Sequence, residues 1–410
     1  MANTIITPSI IAKEALMQLE NNLVMANLVH TDYSDEFTKV GSSVAIRRPV
    51  KYVANSGATM VVSDTTEGST TVAIDKQQHV AIAFSATDLT LSIDEFNSRY
   101  IEPAMYELAQ KVENDLAALY SDVWNWVGTP GTTMGGVDDV YRAAQRLDEM
   151  SVPDKRNMVL SPADFYGMAN YLQGVYVQDK ARTAIERAKI GMLGNMDAYK
   201  CQSAATHTVG AWAGTPLING ATQTTTYSSS RTTNTMSLVT DGWTASTTIK
   251  KGDVFTLGTT TNGFLAINPR TRAALPYLQQ FVVTADATAD GSGNATLTIS
   301  PPIITSGAYQ TVSAAGTAAS TTDNMALNRL GSASTAYVQN LAFHRQAFAL
   351  VTRPLEFLPG IPDQARESNG KVSVRLMPVA DGVNDVGRWR FDILYGVKTI
   401  YPELATRISG

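Results

Sequence analysis

The block from 206 to 336 has a composition unlike the segments on either side of it. Threonine, serine, glycine and alanine dominate this block, and charged residues are sparse. Strand-like runs such as DVFTLG, GFLAI and ATLTIS alternate with turn pairs of the Asp-Gly and Asn-Gly type. Short strands separated by regular turn signals predict a small antiparallel barrel or sandwich.

The flanking segments, 128–205 and 337–410, have the patterns of an α/β protein. In the first segment a predicted strand at Asn157–Leu160 is followed by Ser161-Pro162, which supplies a cap and a first-turn proline for a helix. The second segment carries the apolar runs VQNLAFHRQAFALV and RWRFDILYGVKTIY. Because similar segments continue on both sides, we interpret the middle block as a domain inserted into an α/β host. The predicted fold class is α+β.

The first 88 residues predict two elements with little core. Within 1–35, a short helix is expected from Pro8 to about Asn22, with a narrow apolar stripe. Within 36–88, alternating strand patterns flank the polar run ANSGATMVVSDTTEGSTT. We interpret this range as a long hairpin arm. A hairpin with so little to bury is marginal in water, so we expect a neighbouring subunit to support it.

The range 89–127 predicts the longest helix of the chain. Ser92 and Glu95 fit a capping box, and apolar residues then recur at spacings of three and four. Pro103 lies inside this pattern, so the helix either begins near it or bends there. A helix from Ser92 to Trp126 would be about 50 Å long at 1.5 Å per residue, which suits a flattened, extended body.

The bulk composition narrows the class of protein. The formal charge is −5, and lysine and arginine are not clustered, which argues against direct recognition of nucleic acid. The single cysteine, Cys201, excludes a disulfide within the chain. The first residues lack the pattern of a signal peptide, and no apolar run approaches the roughly 20 residues that span a bilayer. We therefore expect a soluble protein without an export signal.

Motifs that carry chemistry are missing from the sequence. No phosphate-binding loop or nucleophile elbow occurs, and the four histidines are not spaced as metal ligands. A loop beginning at Asp286 resembles a calcium loop, but its twelfth position is Leu297 instead of a glutamate, so a tight turn is the better interpretation. The sequence predicts no catalytic residue, metal or cofactor. We expect all four histidines only to pack or to form local hydrogen bonds. They are His30, His79, His207 and His344.

Three stretches of sequence resemble a known family. They are IAKEALMQLENNLVMANLVHTDYSDEFTKVGSSVAIRRP, the run from IGMLGNMDAYKCQSAATHTVG to YLQQFVVTADATADGSGNATLTISPPI, and LAFHRQAFALVTRPLE followed by WRFDILYGVKTIYPELATRI. These stretches are similar to coat proteins of short-tailed phages of the P22 type, which share the HK97-like capsid fold. Together they cover well over half of the chain in the expected order.

The resemblance implies a domain map. Residues 1–35 correspond to the N-terminal arm, 36–88 to the E-loop and 89–127 to the spine helix. Residues 128–205 and 337–410 correspond to the P- and A-domains, and 206–336 to an inserted barrel-like domain. The map agrees with the patterns described above.

The resemblance also implies a function and partners. A chain of this family is a major capsid protein that forms hexamers and pentamers of an icosahedral shell around double-stranded DNA, without sequence-specific binding. Expected partners are further copies of the chain, a scaffolding protein and a portal protein at one vertex, and the sequence leaves open whether a decoration protein also binds. Assembly is expected in the cytoplasm of the bacterial host, and the protein is expected in the virion.

Individual residues follow from the same resemblance. Glu14 lies about where the family has an acidic contact with the scaffold. Lys51 and Asn55 are not expected to form a crosslink, because P22-type coats have none. Two basic pairs, Arg47-Arg48 and Lys250-Lys251, are either solvated strand ends or partners of carboxylates across a subunit boundary. The candidate contacts between subunits are Arg47, Arg48, Lys51, Asp64, Glu67, Lys250 and Lys251.

Two alternatives belong to other classes of protein. A β-rich phage tail protein or surface adhesin would show repeats and strands throughout, whereas this chain has a long predicted helix and an α/β host. A hydrolase with the inserted domain as its lid would show a phosphate loop, a metal cluster or a nucleophile elbow. The sequence favours the coat protein over both.

Overall fold

The computed structural model describes residues 8–33, 43–85, 97–174, 191–221, 223–319, 322–381 and 386–410. Contacts between Cα atoms divide the chain into two units. The first comprises Met1–Ala45, Thr71–Ala117 and Phe348–Lys398. The second comprises Ile46–Thr70, Ala118–Ala347 and Thr399–Gly410.

Helices and strands both contribute, so the predicted α+β class is confirmed. The α-helices of the described residues are α1 (Pro8–Asn21), α2 (Glu102–Ala117), α3 (Val137–Glu149), α4 (Pro162–Gly174) and the short α5 (Tyr227–Ser230). Single turns of 3₁₀-helix lie at Met25–Asn27, Ala118–Asp122, Gly316–Ala319, Arg345–Ala347 and Pro402–Leu404, and a π-helical turn at Asn97–Ile101.

The strands before the inserted block are β1 (Ser43–Arg48), β2 (Gly68–Ala73), β3 (Lys76–Ser85), β4 (Trp126–Val127), β5 (Arg156–Leu160), β6 (Met192–Leu193) and β7 (Met196–Lys200). Those of the block and its borders are β8 (Thr206–Thr208), β9 (Gly214–Ile218), β10 (Met236–Trp243), β11 (Thr248–Ile249), β12 (Val254–Leu257), β13 (Phe264–Ile267), β14 (Ala274–Leu278), β15 (Gln280–Val283), β16 (Ala287–Thr288), β17 (Ala295–Ser300), β18 (Val312–Ala314), β19 (Leu327–Arg329) and β20 (Ala336–Val338). The last are β21 (Asn340–His344), β22 (Phe348–Thr352), β23 (Ala365–Ser368), β24 (Ser373–Asp381), β25 (Val386–Thr399) and β26 (Ala405–Ile408).

The first unit is a five-stranded sheet with two helices. Strands β22, β25, β24 and β23 follow one another across the sheet, and β3 also pairs with β25. Helix α1 packs on β23, β24 and α2. Pro8 opens α1 at a position where its missing N–H costs nothing, and the predicted apolar stripe is buried at Ile11, Ala12, Ala15 and Leu19. The predicted first helix is confirmed to within one residue.

Strand β3 lies in this sheet and not in the hairpin arm to which the sequence pattern assigned it. It pairs antiparallel with β25 along its whole length, from Lys76↔Tyr395 to Ser85↔Val386. The alternation of Val80 and Ile82 with smaller or polar neighbours fits either element, because period two marks any half-buried strand. The arm is therefore shorter than predicted, and its two strands are β1 and β2, which pair with each other.

The predicted long helix is only partly confirmed. The capping box at Ser92 and Glu95 lies outside the described residues. A π-helical turn leads into α2, which begins at Glu102, next to Pro103, so the proline marks the start of the regular α-helix. After Ala117 the chain tightens into a 3₁₀ turn and then leaves the helix. The prediction that the helix reaches Trp126 is wrong, because Trp126 begins strand β4.

The α/β part of the second unit is a six-stranded mixed sheet in the order β4-β26-β21-β5-β7-β6. Helices α3 and α4 contribute to one apolar core with this sheet, which includes Met158, Leu160, Ala342 and Ile408. Asp138 and Asp139 occupy the first turn of α3, where their charges complement the helix dipole.

The inserted block contains a second six-stranded sheet, entirely antiparallel between its neighbours, in the order β19-β12-β15-β17-β10-β9. A bridge between Leu217 and Ala326 joins its two edge strands, so the sheet is nearly a closed barrel. Buried aromatic residues fill it, with Trp212 against Trp243 and Phe255 against Phe281. The predicted barrel-like sheet is confirmed.

The ends of the inserted block are paired with each other. Strands β8 and β20 run antiparallel with Thr206 opposite Val338 and Thr208 opposite Ala336. The block therefore leaves and rejoins its host at one place, as an inserted domain must. Among the described residues, no helix is long and apolar enough to cross a membrane.

Candidate functional site: the hairpin arm and its contacts

The segment between β1 and β2 is the most exposed apolar part of the described chain. Met60, Val61 and Val62 are consecutive, and their exposed fractions are 84%, 60% and 80%. Isolated apolar side chains on a surface need no explanation, whereas exposed apolar side chains that adjoin one another are a candidate interaction site. We call these three residues the tip.

The limb of the arm that returns from the tip contacts the inserted domain of the same chain. The Asp64 carboxylate lies 2.7 Å from the Arg231 guanidinium, just after α5. The same carboxylate accepts hydrogen bonds from the backbone N–H and the hydroxyl of Thr66, which fix its direction. These bonds from Thr66, and then the Arg231 charge, lower the pKa of Asp64.

The limb that runs out to the tip contacts the same domain. The Lys51 backbone N–H donates to the Tyr309 hydroxyl at 3.0 Å, and Arg272 donates to the Tyr52 carbonyl at 2.9 Å. The Tyr309 ring stacks on Tyr227 with 3.3 Å between ring centroids and parallel planes. Both limbs of the arm are therefore attached to the inserted domain.

The basic pair of the arm has two different environments. Arg47 lies 3.4 Å from Glu67, but both side chains are largely exposed, so this ion pair adds little to stability. Arg48 donates to the Thr70 hydroxyl at 2.7 Å and to the Ile400 carbonyl at 3.2 Å. Arg48 thus ties the two arm strands to the chain segment after β25.

The other predicted contact residues also have partners within the chain. Lys251 forms an ion pair with Asp122 at 3.1 Å, and the Lys250 backbone N–H donates to Asp253. Glu14 is half-buried on α1 and accepts a hydrogen bond from Gln18. The structure brings the arm residues together and leaves the lysine pair and Glu14 elsewhere. Their roles between subunits and toward a scaffold stay predictions.

Sequence reasoning missed the residues that receive the arm. Tyr227 and Arg231 lie on and just after α5, whereas Arg272 and Tyr309 lie on two separate loops of the inserted block. Tyr227 and Arg231 are only four residues apart, but no local spacing connects this pair with Arg272 or Tyr309. Only the closed barrel brings them to one side of the arm.

A buried polar cluster lies where the inserted domain meets its host. The Asp253 carboxylate accepts hydrogen bonds from His207, from the Gly210 backbone and from the Trp212 indole. The other ring nitrogen of His207 lies 3.1 Å from the Tyr120 hydroxyl. The local hydrogen bonding expected for this histidine is confirmed.

Arg407 completes that cluster from strand β26. Its guanidinium is fully buried, donates to the Gly252 carbonyl at 2.8 Å and lies over the Tyr120 and Trp126 rings. Burial lowers the pKa of Arg407 to about 10, so the group keeps its charge at neutral pH. The contacts of this cluster are those of a structural connection between the inserted domain and its host.

Two further sequence interpretations concern possible ligands. Asp290 accepts hydrogen bonds from the Ser292 and Asn294 backbones, so the calcium-like loop is a tight turn before β17, as expected. Within the part of the chain that the structure describes, no group of three or more His, Cys, Asp or Glu side chains is arranged to hold a metal ion.

Comparison with known proteins identifies the family. The sequence model described as "P22 coat protein - gene protein 5" matches residues 1–410. The chain belongs to the P22 coat protein family. No curated protein is significantly similar to the chain in sequence.

Solved structures similar to this coat protein come from several phages. A chain of Mycobacterium phage Che8 is 13% identical with a TM-score of 0.48, over 94% of this chain and 90% of that one. A capsid chain of the cyanophage P-SCSP1u is 11% identical with a TM-score of 0.43, over 92% and 84%. A chain of the mature capsid of bacteriophage PhiM1 is 10% identical with a TM-score of 0.41, over 90% and 81%.

Proposed function

We propose that this chain is the major capsid protein of a tailed phage and builds an icosahedral shell of hexamers and pentamers around double-stranded DNA. The observation that carries the proposal is the match of the P22 coat protein family to the whole chain. The α+β fold with a barrel-like insertion agrees with the HK97-like architecture that the family resemblance implies. The chain acts as a structural subunit and catalyses no reaction.

The hairpin arm supplies the main contact between copies in this proposal. Its tip exposes three consecutive apolar side chains that the chain itself leaves uncovered. Burying apolar surface is the dominant favourable contribution to most protein association. A second copy of the same chain is the partner, because a closed shell repeats one contact between identical subunits.

Weak contacts suit such a shell. Each subunit meets several neighbours, so many modest contacts act together once a closed shell has formed. The acidic balance of the chain, with a formal charge of −5, suits a wall that encloses DNA without gripping it. Scaffolding, portal and decoration proteins are the further partners that we propose, with Glu14 as the contact to the scaffold and the host cytoplasm as the place of assembly.

The arm is tested by replacing Met60, Val61 and Val62 with serine and following assembly by light scattering. We expect the triple variant to fold like the parent, since the tip contributes no core, and to assemble far more slowly. The control replaces two exposed valines, Val239 on the inserted domain and Val338 on the border strand β20, with serine. Assembly of the tip variant at the rate of the control would refute the role of the arm.

A further inference from the structure

The arm is attached to the inserted domain on both of its limbs. Lys51 and Tyr52 on the outgoing limb bond to Tyr309 and Arg272, and Asp64 on the returning limb pairs with Arg231. A strand pair held on one limb can still swing about that contact. Attachment of both limbs to one domain restricts the arm to a single direction.

The returning limb lies directly against the backbone of the inserted domain. A Cβ atom added to Gly68 would lie 2.2 Å from the Arg231 carbonyl oxygen and 3.0 Å from the Tyr227 hydroxyl. Only a residue without a side chain permits that approach. The contact between the returning limb and the inserted domain is therefore closely packed and includes more than the ion pair between Asp64 and Arg231.

The receiving residues are themselves held in place. Tyr227 and Tyr309 stack face to face, and the Arg231 guanidinium lies 5.6 Å from the centre of the Tyr227 ring. The Arg231 side chain is only 18% exposed. Aromatic rings with few rotatable bonds present their hydroxyl groups at a defined position, so the Tyr309 hydroxyl meets the arm without further ordering.

The tip stays outside these contacts. Residues 54–62, which lie between the attachment points of the two limbs, are all exposed. The apolar side chains of the tip therefore remain available to a partner. Association is strengthened when a binding segment is already ordered in its bound direction, because less conformational entropy is lost on binding.

We infer that the inserted domain clamps the hairpin arm of its own chain and orients the arm before the chain meets a second copy. The clamp consists of Arg231, Arg272, Tyr309 and the supporting Tyr227. The inserted domain therefore acts inside one subunit, as the positioning element for an arm with too little core to hold itself. The clamp stands on the contacts alone, whereas its effect on assembly rests on the proposed function.

Trypsin digestion of the unassembled full-length chain tests the clamp. The Lys51–Tyr52 peptide bond lies between the two clamped atoms of the outgoing limb, so a protease reaches it only when the clamp opens. The variants are Arg231→Gln, Arg272→Gln and Tyr309→Phe, and the last removes only a hydroxyl. The control is Arg270→Gln, a neighbouring exposed position. Cleavage after Lys51 is quantified by mass spectrometry.

Each clamp variant is expected to speed cleavage after Lys51 by about fivefold, with a larger effect in the triple variant, while the control leaves it unchanged. A further pair, Asp64→Arg with Arg231→Asp, is expected to restore much of the protection that either single change removes. Cleavage at the control rate in all three single variants and in the triple variant would overturn the clamp.

Assembly kinetics of the same variants test the consequence. We expect slower assembly with an unchanged final shell, because the arm must be ordered at each contact. Faster cleavage with assembly at the parental rate would show that the clamp does not orient the arm for assembly. If the parent chain forms no shell either alone or together with its scaffolding protein, the proposed function fails, and the cleavage experiment still decides whether the clamp exists.

Discussion

Glu113 is a buried charge that joins two separate segments of the first unit. Its carboxylate on α2 accepts hydrogen bonds from the backbone N–H groups of Val24, Met25 and Ala26, each at 2.9 to 3.0 Å. These donors start a 3₁₀ turn that has no side-chain cap of its own. Because the first N–H groups of a helix have no partner within it, an outside acceptor is needed. Glu113 supplies it.

Replacing Glu113 by glutamine is expected to lower the free energy of unfolding by about 1–3 kcal/mol, because the buried donors lose a charged acceptor. The measurement is chemical denaturation of the unassembled chain. Glu107→Gln, at an exposed position on the same helix, is the control and should have little effect. Equal stability of the two variants would show that the Glu113 carboxylate does not hold this turn.

His344 makes stability depend on pH. Burial, and then the nearby charge of Arg156, lower the pKa of His344 below its usual 6.5. The unfolded chain therefore binds a proton at a higher pH than the folded chain does. The contribution of neutral His344 to the free energy of unfolding is complete above pH 6.5. This contribution is lost as the pH falls from 6.5 through the lowered pKa of the folded state.

We expect His344→Asn to be less sensitive than the parent chain to acidification from pH 7 to pH 5. The denaturation midpoint at pH 7, 6 and 5 measures this sensitivity. His79→Asn, at an exposed position on β3, serves as the control and should follow the parent. A parallel decline in parent and His344→Asn would contradict the assignment.

At the scale of elements, the end of the long helix shows what periodicity cannot resolve. Val123 and Trp126 continue the helical spacing of α2, but the chain is already outside the helix at both positions. The backbone of Trp126 instead bonds to the Gln280 side chain, which accepts from its N–H at 2.6 Å and donates to its carbonyl at 2.8 Å. A buried partner distant in sequence decides the outcome, and no local pattern reports it.

Gln280→Leu is expected to destabilise the chain by about 1–3 kcal/mol, because it leaves a buried N–H and a buried carbonyl of Trp126 without this partner. Thermal and chemical unfolding measure the change. Gln145→Leu, at an exposed position on α3, offers a comparison at a side chain that donates a hydrogen bond to Glu149. Loss of stability no greater than in that comparison would mean that the Gln280 side chain does not hold β4.

The arm also has features that local sequence patterns predict and contacts between distant residues that they do not predict. Sequence alone predicts the strands of the arm, its coreless middle and the barrel-like block, because each depends on composition and period within a short window. It does not predict that Asp64 meets Arg231 or that Lys51 meets Tyr309. Those contacts depend on how the barrel closes, and a hairpin pattern could not separate β3 from the arm strands either.

For the whole molecule, the order of several weakly specific stretches was more informative than any single motif. The family match over residues 1–410 confirms the resemblance and leaves the adhesin and hydrolase alternatives without support. The site has no local signature, because a shell contact needs complementary surface and not a fixed set of reactive groups. Residue-level contacts between copies therefore remain predictions.

Negative-stain electron microscopy of the purified chain, expressed alone and together with the scaffolding protein of its phage, tests whether this chain is a capsid subunit. We expect closed shells, hexameric patches, tubes or spirals in at least one of the two preparations. Only small oligomers of uniform size in both preparations, even at high protein concentration, would contradict the assignment of this chain as a capsid subunit.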